Sequence, residues 1–409
     1  MSATPSDPTL SRRRFLHATG VVAAAATLNP SPAFAGEPAS GRKLRMGVVG
    51  GRFGANFYFS DHPNAEVVAV SDLFPERREK LMRTYRCFRA YESLEILLRD
   101  PKVEAVGIFT GAPDHVRHSV AALRAGKHVL SAVPAAMTLE ECQELVDTVK
   151  STGLTYMMAE TSYYRQPMIS ARKFHAERRF GTIFASEAEY HHPGLETYFF
   201  EGSQPTWRHG LPPMKYPTHC TAFLVGLTGE RLVEVTCHGW GDDSPLLKGN
   251  RYDNPFWNET AFFKTDRGHS FRVAVSWKGA LMNTERAQWF GDKMSFYMEH
   301  PHGDGPLLVH HKEKQARDDA GFKFKHADLE KYEQPKWWET ELLPPTLRKD
   351  SGHGGSHTFI THEFIDAIVS GRRPAIDVFA AVAYTAPGIV AHESALRGGE
   401  LLKIPNFGP

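Results

Sequence analysis

The chain has 409 residues, 41% of them hydrophobic and 11% aromatic, with 48 basic against 47 acidic side chains. So even a balance gives no electrostatic footprint for nucleic acid or an anionic membrane, and the length supplies two cores rather than one. Cys87, Cys142, Cys220 and Cys237 include no Cys-x-x-Cys pair and are too sparse for a disulfide scaffold. They read as structural thiols. The 21 histidines include the pairs His191-His192 and His310-His311, but none has metal-ligand spacing, and no metal site is expected.

Ser11-Arg12-Arg13-Arg14-Phe15-Leu16 opens an apolar stretch over residues 18–28, closed by Ala33-Phe34-Ala35 with small residues at the two cleavage-recognition positions. That is a twin-arginine export signal over residues 1–35, too short for the roughly 20 residues of a membrane span. The mature chain then begins at Gly36 and lies outside the cytoplasm, in the periplasm or its equivalent. An exported nicotinamide enzyme has no soluble cofactor pool, which favours chemistry that regenerates its cofactor in every cycle.

Leu44-Arg45-Met46-Gly47-Val48-Val49-Gly50 reads as a buried parallel strand. After a helix-length gap a second run, Glu66-Val67-Val68-Ala69-Val70-Ser71-Asp72, completes a strand, helix, strand unit. Gly50, Gly51 and Gly54 fall at its first turn, where a pyrophosphate can approach backbone N–H groups at a helix N-terminus. Asp72 ends the second strand, placed to accept hydrogen bonds from a ribose; its charge would repel a 2′-phosphate, so NAD is the expected cofactor. The loop Gly50-Gly51-Arg52-Phe53-Gly54 is one residue shorter than G-x-G-x-x-G, with Arg52 where the second glycine would sit. Further strands are expected over residues 103–110, 127–134 and 154–160, and a helix over 139–152.

These features, together with the Thr110 to His118 segment and Ala125-Gly126-Lys127-His128-Val129, resemble the Gfo/Idh/MocA family of NAD(P)-dependent oxidoreductases. The resemblance implies an N-terminal Rossmann doubly wound parallel sheet followed by a C-terminal α/β domain with a large open, mostly antiparallel sheet. It implies that Gly50, Gly51, Arg52, Phe53, Gly54, Asp72, Thr110, Pro113, His115, Val133 and Pro134 bind the cofactor. The family's Glu-Lys-Pro segment is Ala132-Val133-Pro134 here, so its lysine is absent.

We place the NAD domain at residues 36–160 and the substrate domain at 161–409. The latter should hold short strands over 183–188, 231–237, 259–264, 270–277 and 288–291. A polar loop or lid is expected over 301–355, and helices beyond 357. Tyr216-Pro217-Thr218-His219 carries the histidine that the family uses to exchange a proton as hydride moves, and Lys215 stands where the family has Asp. Lys215 is a candidate to replace the cation missing at Val133.

Within the family, the exported NAD-dependent glycosidases that include α-N-acetylgalactosaminidases match further. They share Val in the Glu-Lys-Pro segment, a Glu-x-x-x-Tyr segment like Glu160 through Tyr164, and Gly352-His353-Gly354-Gly355. That likeness implies cleavage of a glycoside by oxidation at carbon 3, proton loss at carbon 2, departure of the carbon 1 group, water addition and reduction. His219 would exchange the carbon 3 hydroxyl proton and Tyr164 the carbon 2 proton, with Tyr163, Arg165, Trp207, Arg208, Tyr216 and His353 contacting the sugar. An ordinary sugar oxidoreductase with tightly held cofactor and a sugar- or nucleotide-binding relative without turnover are the alternatives. By analogy, the open sheet forms a homo-oligomer interface.

Overall fold

The computed structural model describes residues 41–317, 320–321 and 323–408; the expected export signal and mature start lie outside them. The first strand, β1 (Leu44–Val49), is buried throughout except at Arg45. It runs into two short 3-10 turns, Phe53–Asn56 and Phe59–Asp61, before β2 (Ala65–Ser71). The expected strand, helix, strand unit therefore lacks its helix. Eight of the 15 residues between the strands are Gly, Asn, Asp, Ser or Pro, which favour turns over an unbroken helix, and Phe57 and Phe59 plug the gap with stacked rings 5.7 Å apart.

α1 (Pro75–Tyr85), β3 (Ala90–Tyr91), α2 (Leu94–Leu97), β4 (Ala105–Ile108), α3 (His115–Arg124), β5 (His128–Ser131), α4 (Leu139–Thr152) and β6 (Tyr156–Met158) follow. The strands form one parallel sheet in the order β3-β2-β1-β4-β5-β6, the doubly wound arrangement with a switch point between β1 and β4. α4 starts where the sequence signals it: Thr138 and Glu141 make a reciprocal capping box, and Gly153, at φ +66°, ends it.

α5 (Gln166–Ala176) leads into β7 (Ile183–His191), then a small hairpin, β8 (Phe200–Glu201) with β9 (Gln204–Pro205), and α6 (Thr218–Thr228). β10 (Leu232–Trp240), β11 (Asn258–Thr265), β12 (Ser270–Ser276), β13 (Thr284–Gly291), β14 (Met294–Tyr297), β15 (Leu307–Arg317) and β16 (Lys323–Lys331) follow. α7 (Gly352–Val369), α8 (Val378–Leu396) and β17 (Leu402–Lys403) end the chain. These strands make a nine-stranded sheet, antiparallel except where β7 runs parallel to β12. The region expected to be a loop over 301–355 instead contributes the β15–β16 hairpin to the sheet edge. Polar composition alone conceals such strands. α6 is apolar around nearly its whole circumference because it is wedged among the sheet, α5 and α8.

Candidate active site in the cleft at the strand ends

A cleft of about 620 Å3 opens over the carboxyl ends of β1, β2, β4 and β5 and is roofed by the segment between β7 and α6. Gly50 forms its floor at φ +100°; a Cβ there would stand 2.3 Å from the Phe109 carbonyl oxygen, so only glycine lets the turn close. The Asp72 carboxylate accepts from Gly51 N–H at 2.7 Å and Phe74 N–H at 2.9 Å. Its remaining lone pairs border the cleft, which suits ribose hydroxyls. Gly54 is buried under Phe109, and Arg52, exposed at the rim, ion-pairs with Glu201 of β8 at 2.5 Å. Arg77 approaches the same carboxylate at 3.4 Å.

Phe53, Thr110, His115 and Val133 line the cleft. His115 also clamps two loops, with Nδ1 2.8 Å from Pro134 O and Nε2 3.1 Å from Thr110 O. Pro134 is buried behind it, and Pro113 starts α3 from a 3-10 turn away from the cleft lining. Trp207 rests directly on Gly111, where a Cβ would lie 2.7 Å from its ring. The second domain thereby closes on the end of β4.

His219 enters the cleft from the first turn of α6. Its Nδ1 is 2.8 Å from Glu160 Oε1 and 3.8 Å from Glu285 Oε1. A carboxylate only accepts, so Nδ1 carries the hydrogen and Nε2 is left for the cleft. Ser162 joins the two acids: its N–H donates to Glu160 Oε1 at 2.8 Å and its hydroxyl to Glu285 Oε1 at 2.5 Å. Arg165 completes the cluster through Glu285 at 2.5 Å. Burial works against a charged His219, but Glu160 and Glu285 outweigh it and raise its pKa above the ordinary 6.5. Burial likewise opposes ionisation of Glu285, yet Arg165 and His219 hold it down at about 2.

The turn that delivers His219 is fixed from behind. Met214 N–H donates to buried Glu259 at 2.7 Å, and His392 Nδ1 pairs with the other oxygen at 2.8 Å. A Cβ on Gly388 would come 2.0 Å from Met214 O, so α8 needs glycine there.

Several expected site residues lie elsewhere. Tyr164 is 1% exposed, stacked 6.1 Å from Phe359, with a buried hydroxyl that has no partner. It cannot reach a substrate in the cleft, because the short turn over 162–164 rolls it into the core. Tyr163 packs under the Arg172 guanidinium at 4.0 Å and against Gly226, also away from the cleft. Lys215 faces Glu141, Glu393 and Glu259, and burial lowers its pKa. It does not replace the cation absent at Val133. Arg165 acts on Glu285 rather than lining the cleft. Trp207, Arg208, Tyr216 and His353 do line it. His353 takes a left-handed conformation at φ +54° and meets His357 at 2.9 Å.

Tyr190, His192 and Glu285 were missed. Tyr190 and Glu285 are directly opposed in the β7–β13 pairing and so share the face toward His219, whose ring is 4.7 Å from that of Tyr190. Single-sequence alternation marks Tyr190 as inward but says nothing of Glu285, a charged residue on a covered face.

Residues 44–160 match the family described as the oxidoreductase family with an NAD-binding Rossmann fold, and residues 295–409 match the C-terminal domain of glycosyl hydrolase 109. The match to the Gfo/Idh/MocA oxidoreductase family thus covers the N-terminal domain of this chain. That domain is an NAD domain, and the glycine turn, Asp72 and cleft volume fit that cofactor. A glycosyl hydrolase family 109 protein of Stenotrophomonas maltophilia (strain K279a) is 25% identical over 442 residues, covering 97% of this chain and 95% of the relative. An α-N-acetylgalactosaminidase of Tannerella forsythia is 26% identical, covering 84% and 81%. Levoglucosan dehydrogenase in complex with NADH shares the fold at a TM-score of 0.72 and 19% identity, with 89% of this chain and all of that chain aligned.

Proposed function

We propose that this enzyme cleaves a glycoside without net oxidation, using NAD that remains bound through each turnover. The observation that carries the reading is the His219–Glu160–Glu285 cluster opening onto the same cleft as the strand ends of the NAD domain. Bound NAD supplies a reversible hydride acceptor for carbon 3 of the sugar.

The chain's own residues handle protons. His219 Nε2 takes the carbon 3 hydroxyl proton, and Glu160 steadies the imidazolium that results. The adjacent ketone then acidifies the carbon 2 proton. The Tyr190 and Tyr216 rings stand 4.7 and 5.3 Å from His219, both on the cleft lining. We assign the carbon 2 proton to Tyr216, which lies on the cleft lining beside Arg208; burial pushes its phenol up to about 12 against the pull of that guanidinium, so it must first pass its own proton to the cleft solvent before it takes this one. The carbon 1 group leaves, water adds its hydroxyl to carbon 1 and its proton is the one the leaving oxygen needs, and return of the hydride to carbon 3 with both held protons restores the starting protein.

We further propose export by the twin-arginine route and assembly of copies through the helix-free face of the nine-stranded sheet. Phe262, opposed to Arg272, is 54% exposed on that face. The activity is tested by incubating the purified protein with a panel of aryl glycosides in the absence of added dinucleotide. Aglycone release with catalytic turnover is expected; sugar oxidation that stops after one equivalent would instead identify a dehydrogenase.

A further inference from the structure

The substrate end of the cleft holds a cation without a counter-ion. Arg208 is half-buried in the wall, its guanidinium stacked 4.1 Å over Trp207, with Tyr216, Tyr190 and Tyr198 around it. The other arginines of the cleft region each have a carboxylate within reach: Glu285 for Arg165, Glu201 shared by Arg52 and Arg77, and Asp114 for Arg117. Among the described residues no carboxylate pairs with Arg208. The groups that bear on it are phenols and a second cation, Arg52, which together with burial weakens its hold on its proton.

A guanidinium cannot discharge by losing that proton, so its desolvation must be met by an acceptor that arrives with a ligand. Stacking on Trp207 fixes the plane of the fork and leaves its N–H edges for two anionic oxygens. Asp72 at the end of β2 and Glu95 in α2, the other acidic groups on the cleft wall, belong to the NAD domain, where Asp72 caps backbone N–H groups and Glu95 lies 3.6 Å from Arg117, and neither is paired with Arg208.

We propose that the substrate carries an acidic substituent, a sugar carboxylate, sulfate or phosphate, and that Arg208 binds it through paired N–H donors. This rests on the reading that the cleft takes a sugar. The same oxygens could come from the cofactor's own phosphates, and the experiment separates the two.

Titration calorimetry on the NAD-loaded protein compares glucose and galactose with glucuronate, galacturonate and glucose 6-phosphate. At least one acidic sugar should bind on the order of 10- to 100-fold tighter than its neutral parent, the range of a charge-assisted pair. Arg208→Gln should abolish that advantage while the protein still purifies with, or takes up, one NAD. Arg208→Lys, which keeps the charge but not the fork, should retain part of it, and it serves as the test if the Gln variant does not fold. Equal affinity for acidic and neutral sugars overturns the proposal. So does a Gln variant that loses NAD yet keeps the acidic preference, which would give Arg208 to the cofactor's phosphates. Calorimetry reads binding without turnover: a protein that prefers acidic sugars but cleaves no glycoside refutes the proposed activity and not the anion site.

Discussion

His219 Nδ1 lies 2.8 Å from Glu160 Oε1, and this contact decides which histidine nitrogen meets the substrate. It also raises the pH at which that nitrogen becomes free to accept a proton. The oxidation half-reaction should therefore rise with pH through a value above 6.5, because the acids outweigh burial. Glu160→Gln should move that limb to lower pH and slow the step, whereas His219→Ala should cost ~10²- to 10⁴-fold. Rapid mixing with sugar, followed by the absorbance of reduced nicotinamide, measures both; an unmoved limb in Glu160→Gln would assign it to another group.

Glu285 supports the same histidine and neutralises Arg165 at 2.5 Å. Its pKa is depressed to about 2 from 4.5, so its stabilising contribution is present above 4.5 and is lost as pH falls towards 2. The raised His219 acts in the opposite sense: its contribution is present below 6.5 and declines as pH rises through its folded value. Glu285→Gln should cost ~3 kcal/mol at neutral pH by leaving a buried guanidinium unpaired. Denaturant melts at several pH values should show the gap to the wild type narrowing below pH 4.5.

Tyr216 and Tyr164 differ in what they can touch. Tyr216→Phe should suppress hydrogen exchange at carbon 2 by at least ~10²-fold, with NAD content unchanged. Tyr164→Phe should leave exchange within about threefold and alter only stability, since it removes a buried hydroxyl that has no partner. Nuclear magnetic resonance of the sugar in deuterated water reads the exchange directly. Loss in Tyr164→Phe alone would restore that residue as the base.

Asp72→Ala should weaken NAD binding by roughly tenfold or more, because it removes the ribose acceptor together with the caps on Gly51 and Phe74 N–H. Sugar affinity measured with saturating NAD should stay within about twofold. Equal losses for both ligands would make the effect a collapse of the loop.

Five of the six parallel strands were legible because fully buried strands are written as continuous apolar runs between turn residues, as in Ala105–Ile108, whereas the two-residue edge strand Ala90–Tyr91 is too short and too exposed to leave such a run. His219 was legible through its motif. The 3-10 turns after β1 were not, since the gap has helical length and only its turn-forming composition argues otherwise. The placement of Tyr164 and Lys215 was hidden for a different reason. Each neighbours a true site residue in sequence, but within one turn of chain successive side chains point in different directions, and Tyr216 reaches the cleft while Lys215 turns to Glu141 and Glu259. Glu285 could be placed only by the cross-strand register with Tyr190, which a single sequence does not encode legibly.

The central claim is that one bound NAD serves every turnover while the carbon 2 proton comes and goes. Cleavage of an aryl glycoside in deuterated water, with the released sugar and the nicotinamide quantified together, tests it most directly. The account predicts deuterium at carbon 2 of the product and no net NADH after many turnovers. Released sugar with protium at carbon 2 and no isotope effect from carbon 2 deuterated substrate, or NADH accumulating in step with product, would contradict it.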